Sequence, residues 1–238
     1  MSRRIFYSFY LIFATAVAFF SFSSAQTKLE PAQVLDNVRE TYETLEDITA
    51  TFTEEVTFKY TNVHQSLTGE FQMKRGNLNG IPNKYRIHTE QQTIVTDGIT
   101  VWSYSPINKQ VLIDDYNDDS KTFSPDKFLF SIPNDFQAVF LNERPSSPEI
   151  QSDYALKLIP RAGTASAAAV KSFKIWVSRK DWSIRKIEFI DMNETQRTYT
   201  IHSRLLNLGL SDKHFSFTVP NGVQVVDLRI LKAKARRH

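Results

Sequence analysis

No cysteine occurs among the 238 residues of the chain. That absence removes disulfide frameworks, thiolate nucleophiles, Cys-ligated zinc and bacterial lipid attachment in one step. Glycine is also scarce. The seven present (69, 76, 80, 98, 163, 209 and 222) fit neither a dinucleotide-binding fingerprint nor a P-loop. No Gly-x-Ser-x-Gly elbow presents a hydrolase nucleophile. The five histidines (64, 88, 202, 214 and 238) lie far apart without HExxH spacing. The acidic run Asp114, Asp115, Asn117, Asp118 and Asp119 lacks the sixth-position glycine and the final glutamate of a calcium loop, and reads as a solvated turn. The expectation is a protein without metal or cofactor, and not an enzyme.

Long apolar runs are missing too, except at the start. Arg3 and Arg4 form a positive n-region, Ile5 to Phe22 an apolar h-region, and Ser23-Ser24-Ala25 a small-residue site. Together they predict a signal peptide over 1–25, cleaved between Ala25 and Gln26. Cleavage lowers the net charge from +3 to +1. The last ten residues hold Arg229, Lys232, Lys234, Arg236 and Arg237 and no acid, which leaves the body at about −4. A basic tail over 229–238 on a mildly acidic body does not describe a nucleic-acid-binding face. It reads as a frayed terminus, with docking to an acidic surface or anionic lipid as the alternative.

What the chain does have is aromatic and aliphatic residues in two successive periods. Val34, Leu35, Val38, Tyr42 and Leu45 fall on one face of a helix predicted over Pro31 to Asp47, with Pro31 in the first turn. From Ile48 the period becomes two. Phe52, Val56 and Phe58 alternate with polar residues, and Val63, Leu67, Phe71 and Met73 continue after a turn at Thr61-Asn62. Further strands are predicted at 84–90, 93–97, 100–105, 109–114, 154–160, 169–178, 182–191, 195–206 and 215–219, separated by turns such as Asp97-Gly98. Ser124-Pro125-Asp126 opens a short helix through Phe130. Short connections imply antiparallel meanders. The fold class is therefore mainly β: one curved antiparallel sheet forming an incomplete barrel over 26–228, capped by the N-terminal helix and short lid helices. One helix cannot cover the inner face of so many strands, so the concavity must hold side chains or a ligand.

Four segments carry a resemblance. They are Ile48-Thr49-Ala50-Thr51-Phe52-Thr53-Glu54, Gly69-Glu70-Phe71-Gln72-Met73-Lys74-Arg75, Val95-Thr96-Asp97-Gly98-Ile99-Thr100-Val101-Trp102-Ser103-Tyr104-Ser105-Pro106, and Phe215-Ser216-Phe217-Thr218-Val219-Pro220-Asn221-Gly222-Val223. In order and spacing they resemble the LolA/LolB family of outer-membrane lipoprotein carriers. One departure is a loop of about six residues after Lys74-Arg75, where the family has Pro directly. The resemblance implies a monomeric periplasmic carrier that takes acylated lipoproteins from an inner-membrane exporter to an outer-membrane receptor. Without cysteine, the chain is more similar to the soluble carrier than to the lipid-anchored receptor. The implied acyl-chain wall is Phe52, Val56, Phe58, Leu67, Phe71, Met73, Tyr85, Ile87, Trp102 and Tyr104. Lid residues would be Val34, Val38, Tyr42, Phe128 and Leu129, and the lid latch Arg75, alternatively Arg86. A different lipid-binding or envelope-sensing protein on the same fold is the other reading.

Overall fold

The structure, a computed structural model, describes residues 29–76, 82–116, 135–142, 150–164 and 170–230. The signal peptide, the expected short helix at 124–130 and all but the first two residues of the basic tail lie outside the described residues.

The chain opens with α1 (Pro31–Glu43). Pro31 occupies the first turn, where its missing N–H costs nothing, and the Gln33 side chain accepts a hydrogen bond from the Glu30 N–H. The helix stops short of the expected Asp47 because its last carbonyls find other donors: Leu45 N–H returns to the Tyr42 carbonyl, and Arg75 reaches those of Tyr42 and Glu43.

Twelve strands then follow: β1 (Asp47–Phe58), β2 (Val63–Lys74), β3 (Lys84–Thr89), β4 (Thr93–Thr96), β5 (Thr100–Ser105), β6 (Gln110–Asp115), β7 (Phe136–Phe140), β8 (Tyr154–Pro160), β9 (Val170–Val177), β10 (Ile184–Asp191), β11 (Thr195–Leu206) and β12 (Gln224–Asp227). They make one sheet in the order β12-β6-β5-β4-β3-β2-β1-β11-β10-β9-β8-β7. The long strands β1, β2 and β11 form its spine, and β7 and β12 lie at opposite ends, so the curved sheet stays open. Antiparallel pairing holds everywhere except at β12, which runs parallel to β6.

The expected strand at 215–219 does not form. Asp212–Phe215 is a 3₁₀ turn and 216–223 runs without regular structure, crossing to β12. The Phe-x-Phe alternation there has a different cause. The Asp97-Gly98 hairpin is as expected: Asp97 Oδ1 accepts the N–H groups of Ile99 and Thr100, and Gly98 takes a φ of 91° that its lack of Cβ permits.

A 13-residue helix is about 20 Å long, whereas twelve strands spaced about 4.8 Å apart make a ribbon roughly 50 Å across. α1 can therefore cover only part of one face. It packs Val34, Leu35, Val38 and Tyr42 onto Phe136, Leu156, Leu158, Phe173, Ile175 and Ile184 of β7–β10. A second apolar cluster, on β1–β4, contains no residue of α1.

Candidate functional site

Alternation along β1 sends Ile48, Ala50, Phe52, Glu54, Val56 and Phe58 to one face. Register carries that face across the sheet: Met73 lies opposite Ile48, Phe71 opposite Ala50 and Leu67 opposite Glu54. Tyr85 then faces Met73, Ile87 faces Phe71, and Ile94 faces Ile87. Ile48, Phe52, Phe71, Met73 and Tyr85 are buried together, with Leu67, Ile87, Ile94 and Ile201 packed around them. Val56, buried, and Phe58, half-buried, extend the row toward the β1–β2 hairpin. The face is the one that α1 covers farther along, because Tyr199 of β11 packs on Phe52 (6.0 Å between ring centroids) and on Phe189 under the helix (6.2 Å).

Gly69 makes this arrangement possible. It is the cross-strand partner of Phe52, and a Cβ there would stand 2.5 Å from the tip of the Phe52 ring. The ring lies over the glycine.

Trp102 and Tyr104 do not join the row. Trp102 pairs with Val95, which pairs with Arg86 and through it with Gln72, on the opposite face from Phe71 and Ile87. The inward positions of β5 are Val101 and Ser103. The outer face has its own cover, the strap at 212–217. Phe217 packs against Tyr104 (5.8 Å), Phe215 is fully buried, and Arg86 donates from Nε to the His214 carbonyl (2.8 Å) and from Nη2 to the Ser216 carbonyl (2.9 Å). The Phe-x-Phe of 215–217 thus serves a small outer core, and Arg86 fastens it there.

Of the expected lid, Phe128 and Leu129 lie outside the described residues. Val34, Val38 and Tyr42 lie on α1, where each is nearly or fully buried against β7–β10. The Tyr42 hydroxyl even accepts the Ile184 N–H, and burial raises its pKa. Arg75 sits where β2 ends, its N–H on the Glu46 carbonyl (2.8 Å) and its Nη1 on the carbonyls of Tyr42 and Glu43. A cation there also meets the negative end of the helix dipole. The two arginines therefore differ in kind, Arg75 binding a helix end and Arg86 a strap.

One feature escaped sequence reasoning. Glu54 faces inward beside Phe52, where its Oε1 accepts from Arg197 Nη1 (2.6 Å) and from the Tyr199 hydroxyl (2.8 Å). Burial, with Glu54 close by, raises the Tyr199 pKa. Partial burial is the largest single influence on Arg197 and disfavours its charge, but the hydrogen bonds and charges of Glu54 and Tyr199 together outweigh it and hold that pKa above its ordinary value. The signal was Glu54's even number in a row whose other even members are apolar. Among the described residues, no group of three or more His, Asp or Glu could hold a metal ion, and no helix is long and apolar enough to cross a membrane.

An open sheet with one half sealed by a helix and an aromatic row in the other defines a half-barrel, the class of fold whose concavity takes side chains or an apolar ligand. The family described as outer membrane lipoprotein carrier protein LolA matches residues 43–218, and the chain belongs to that family. It is 25% identical over 199 residues to the outer-membrane lipoprotein carrier protein of Histophilus somni (strain 129Pt), covering 83% of this chain and 89% of that one. With that of Klebsiella pneumoniae (strain 342) it shares 27% over 183 residues, covering 76% and 81%. A solved structure of an uncharacterized conserved protein from Thermus thermophilus superposes with a TM-score of 0.48 at 14% identity, covering 82% of this chain and 97% of that one.

Proposed function

We propose that the chain is an exported periplasmic carrier that shields the acyl chains of lipoproteins against the Phe52 row and carries them from the inner to the outer membrane. The observation that supports this is the second apolar cluster, Phe52, Phe71, Met73 and Tyr85, on the stretch of the covered face that α1 does not reach. The signal peptide expected at 1–25 supplies export. Donor and acceptor are an inner-membrane exporter and an outer-membrane receptor, as the family membership suggests. The role is carriage, with no bond made or broken.

The physical problem is transfer through water. Each exposed CH₂ costs about 0.8 kcal/mol, so several long acyl chains cost tens of kcal/mol. A carrier must offer comparable apolar surface and still let the cargo go. A fixed half-core under α1 keeps the sheet folded, while the Phe52 row is left to exchange its packing for acyl chains. Arg75 couples the end of β2, beside that row, to the end of α1, and in this reading it favours the empty state.

The test is a release assay. Inner membranes loaded with a radiolabelled lipoprotein are incubated with the mature chain and the exporter, and soluble acylated lipoprotein is measured. The wild type should solubilise it. Phe52→Glu and Phe71→Glu, shown by circular dichroism to be folded, should not. Undiminished release by both variants would remove the acyl-chain site from this face.

A further inference from the structure

The polar trio in the Phe52 row calls for a reason. The Glu54 side chain is 13% exposed and that of Arg197 35%. An ion pair so placed is weak evidence of a stabilising role, because desolvation offsets much of its attraction. Its neighbours on the same face are apolar: Phe52 and Val56 flank Glu54 along β1, and Phe189 lies opposite Arg197 on β10. Arg197 is itself the cross-strand partner of Val56, which puts it on the concave face. Glu54 engages it through Nη1, and Nε and Nη2 remain as further donors on that face. Glu54 cancels the charge. The result is a strong hydrogen-bond donor with little net attraction for anions, set within an apolar row.

We infer that Arg197, held by Glu54 and Tyr199, is a binding-site anchor for the ester and amide carbonyls at the head of the acyl chains. This rests on the carrier reading and adds the polarity of the cargo to it. Chains whose carbonyls meet Arg197 would run from there over Phe52 toward Phe71 and Tyr85. The trio would then position the junction between lipid and peptide, and a bare hydrocarbon would lack that contact. An anionic head would be favoured less than an uncharged carbonyl, because Glu54 stands beside the donor.

The test compares two synthetic lipopeptides with the same chains and peptide, one with ester linkages and one with ether linkages, by isothermal titration to the mature chain. An ether oxygen is a much weaker acceptor, so the wild type should bind the ester form about tenfold more tightly, the worth of one hydrogen bond to a charged donor. The double variant Glu54→Leu/Arg197→Leu should bind both forms equally while unfolding at the same temperature as the wild type or higher. Arg197→Lys, which keeps the charge and loses the planar fork, should fall between. Equal binding of ester and ether forms by the wild type, or an unchanged preference in the double variant, would overturn the anchor and leave the carrier reading standing. Failure of the wild type to bind either lipopeptide would overturn both.

Discussion

Under α1, Leu156, Leu158, Phe173, Ile175 and Ile184 keep at most 2% of their surface exposed, whereas every residue of β5 at the other side of the sheet is only half-buried. Both regions are alternating antiparallel strands, but they are covered differently. The β7–β10 half has a helix on its inner face. The β3–β5 region has the strap on its outer face, with Arg86 and Phe217 as the fastenings. Among the described residues, the inner face of β1–β4 has neither. That stretch is buried all the same, with Phe52, Phe71, Met73 and Tyr85 at most 9% exposed, and in the carrier reading it is this packing that acyl chains would replace.

The comparison breaks most readily by truncating one leucine from each half. Leu158→Ala, under the helix, should cost about 2–5 kcal/mol and lower Tm by roughly 5–15 °C. Leu67→Ala, partly buried in the Phe52 row, should cost about 1 kcal/mol by thermal unfolding and weaken acyl-chain binding instead. Equal losses of stability would mean that the two halves are not different in kind.

Gly69→Ala comes next. Its Cβ would collide with the Phe52 ring, the Thr89 methyl and the His88 carbonyl, the last two at 2.9 Å, and the backbone carbonyl is the one that cannot turn away. The expected cost is about 1–3 kcal/mol, the range for overpacking, with a displaced ring visible in a crystal structure of the variant. An unmoved Phe52 would show that the row has slack.

The two arginines sharpen the comparison further. Arg75→Leu should fold and load acylated cargo but fail to pass it to acceptor membranes. Arg86→Leu should lose about 1–3 kcal/mol with its two carbonyl bonds and transfer cargo normally. A transfer assay with both variants decides which arginine governs release.

The smallest effect concerns pH. Asp212 anchors the strap between Lys74 and Lys84, whose bonds lower its carboxyl from 3.8 to about 2. A carboxyl so depressed contributes stability above its unfolded value and loses it as pH falls through the folded one. The strap should therefore loosen between about pH 4 and pH 2, followed by the NMR ring signals of Tyr104 and Phe217, and Asp212→Asn should abolish that step. The group is exposed, so the effect on global unfolding should be slight.

Most of the sheet was legible because alternation is local: a residue's face follows from its neighbours, and the parity of Phe52, Phe71, Tyr85 and Ile87 follows from it. Trp102 was not legible in that way. Val101, Trp102 and Tyr104 are all apolar or aromatic, so parity on β5 depends on its pairing with β4 and on the strap that covers its outer side. The strap itself was hidden because Phe215 and Phe217 alternate as a strand would, while their partners lie over a hundred residues away. The same distance hid the Glu54–Arg197 bond, although an acid at an inward position announced the need for a partner. Helical period showed which face α1 buries and nothing about which half of the sheet receives it.

The central claim is that acyl chains lie on the Phe52 row and not elsewhere on the sheet. It is tested most directly by photo-crosslinking the mature chain to a lipopeptide with a diazirine in its acyl chain and mapping the adducts by mass spectrometry. Adducts should fall on Phe52, Leu67, Phe71, Met73, Tyr85 and Ile87, with none on Val34 or Val38 on the buried face of α1. Adducts concentrated on Trp102 and Tyr104, on the outer face, would contradict the account.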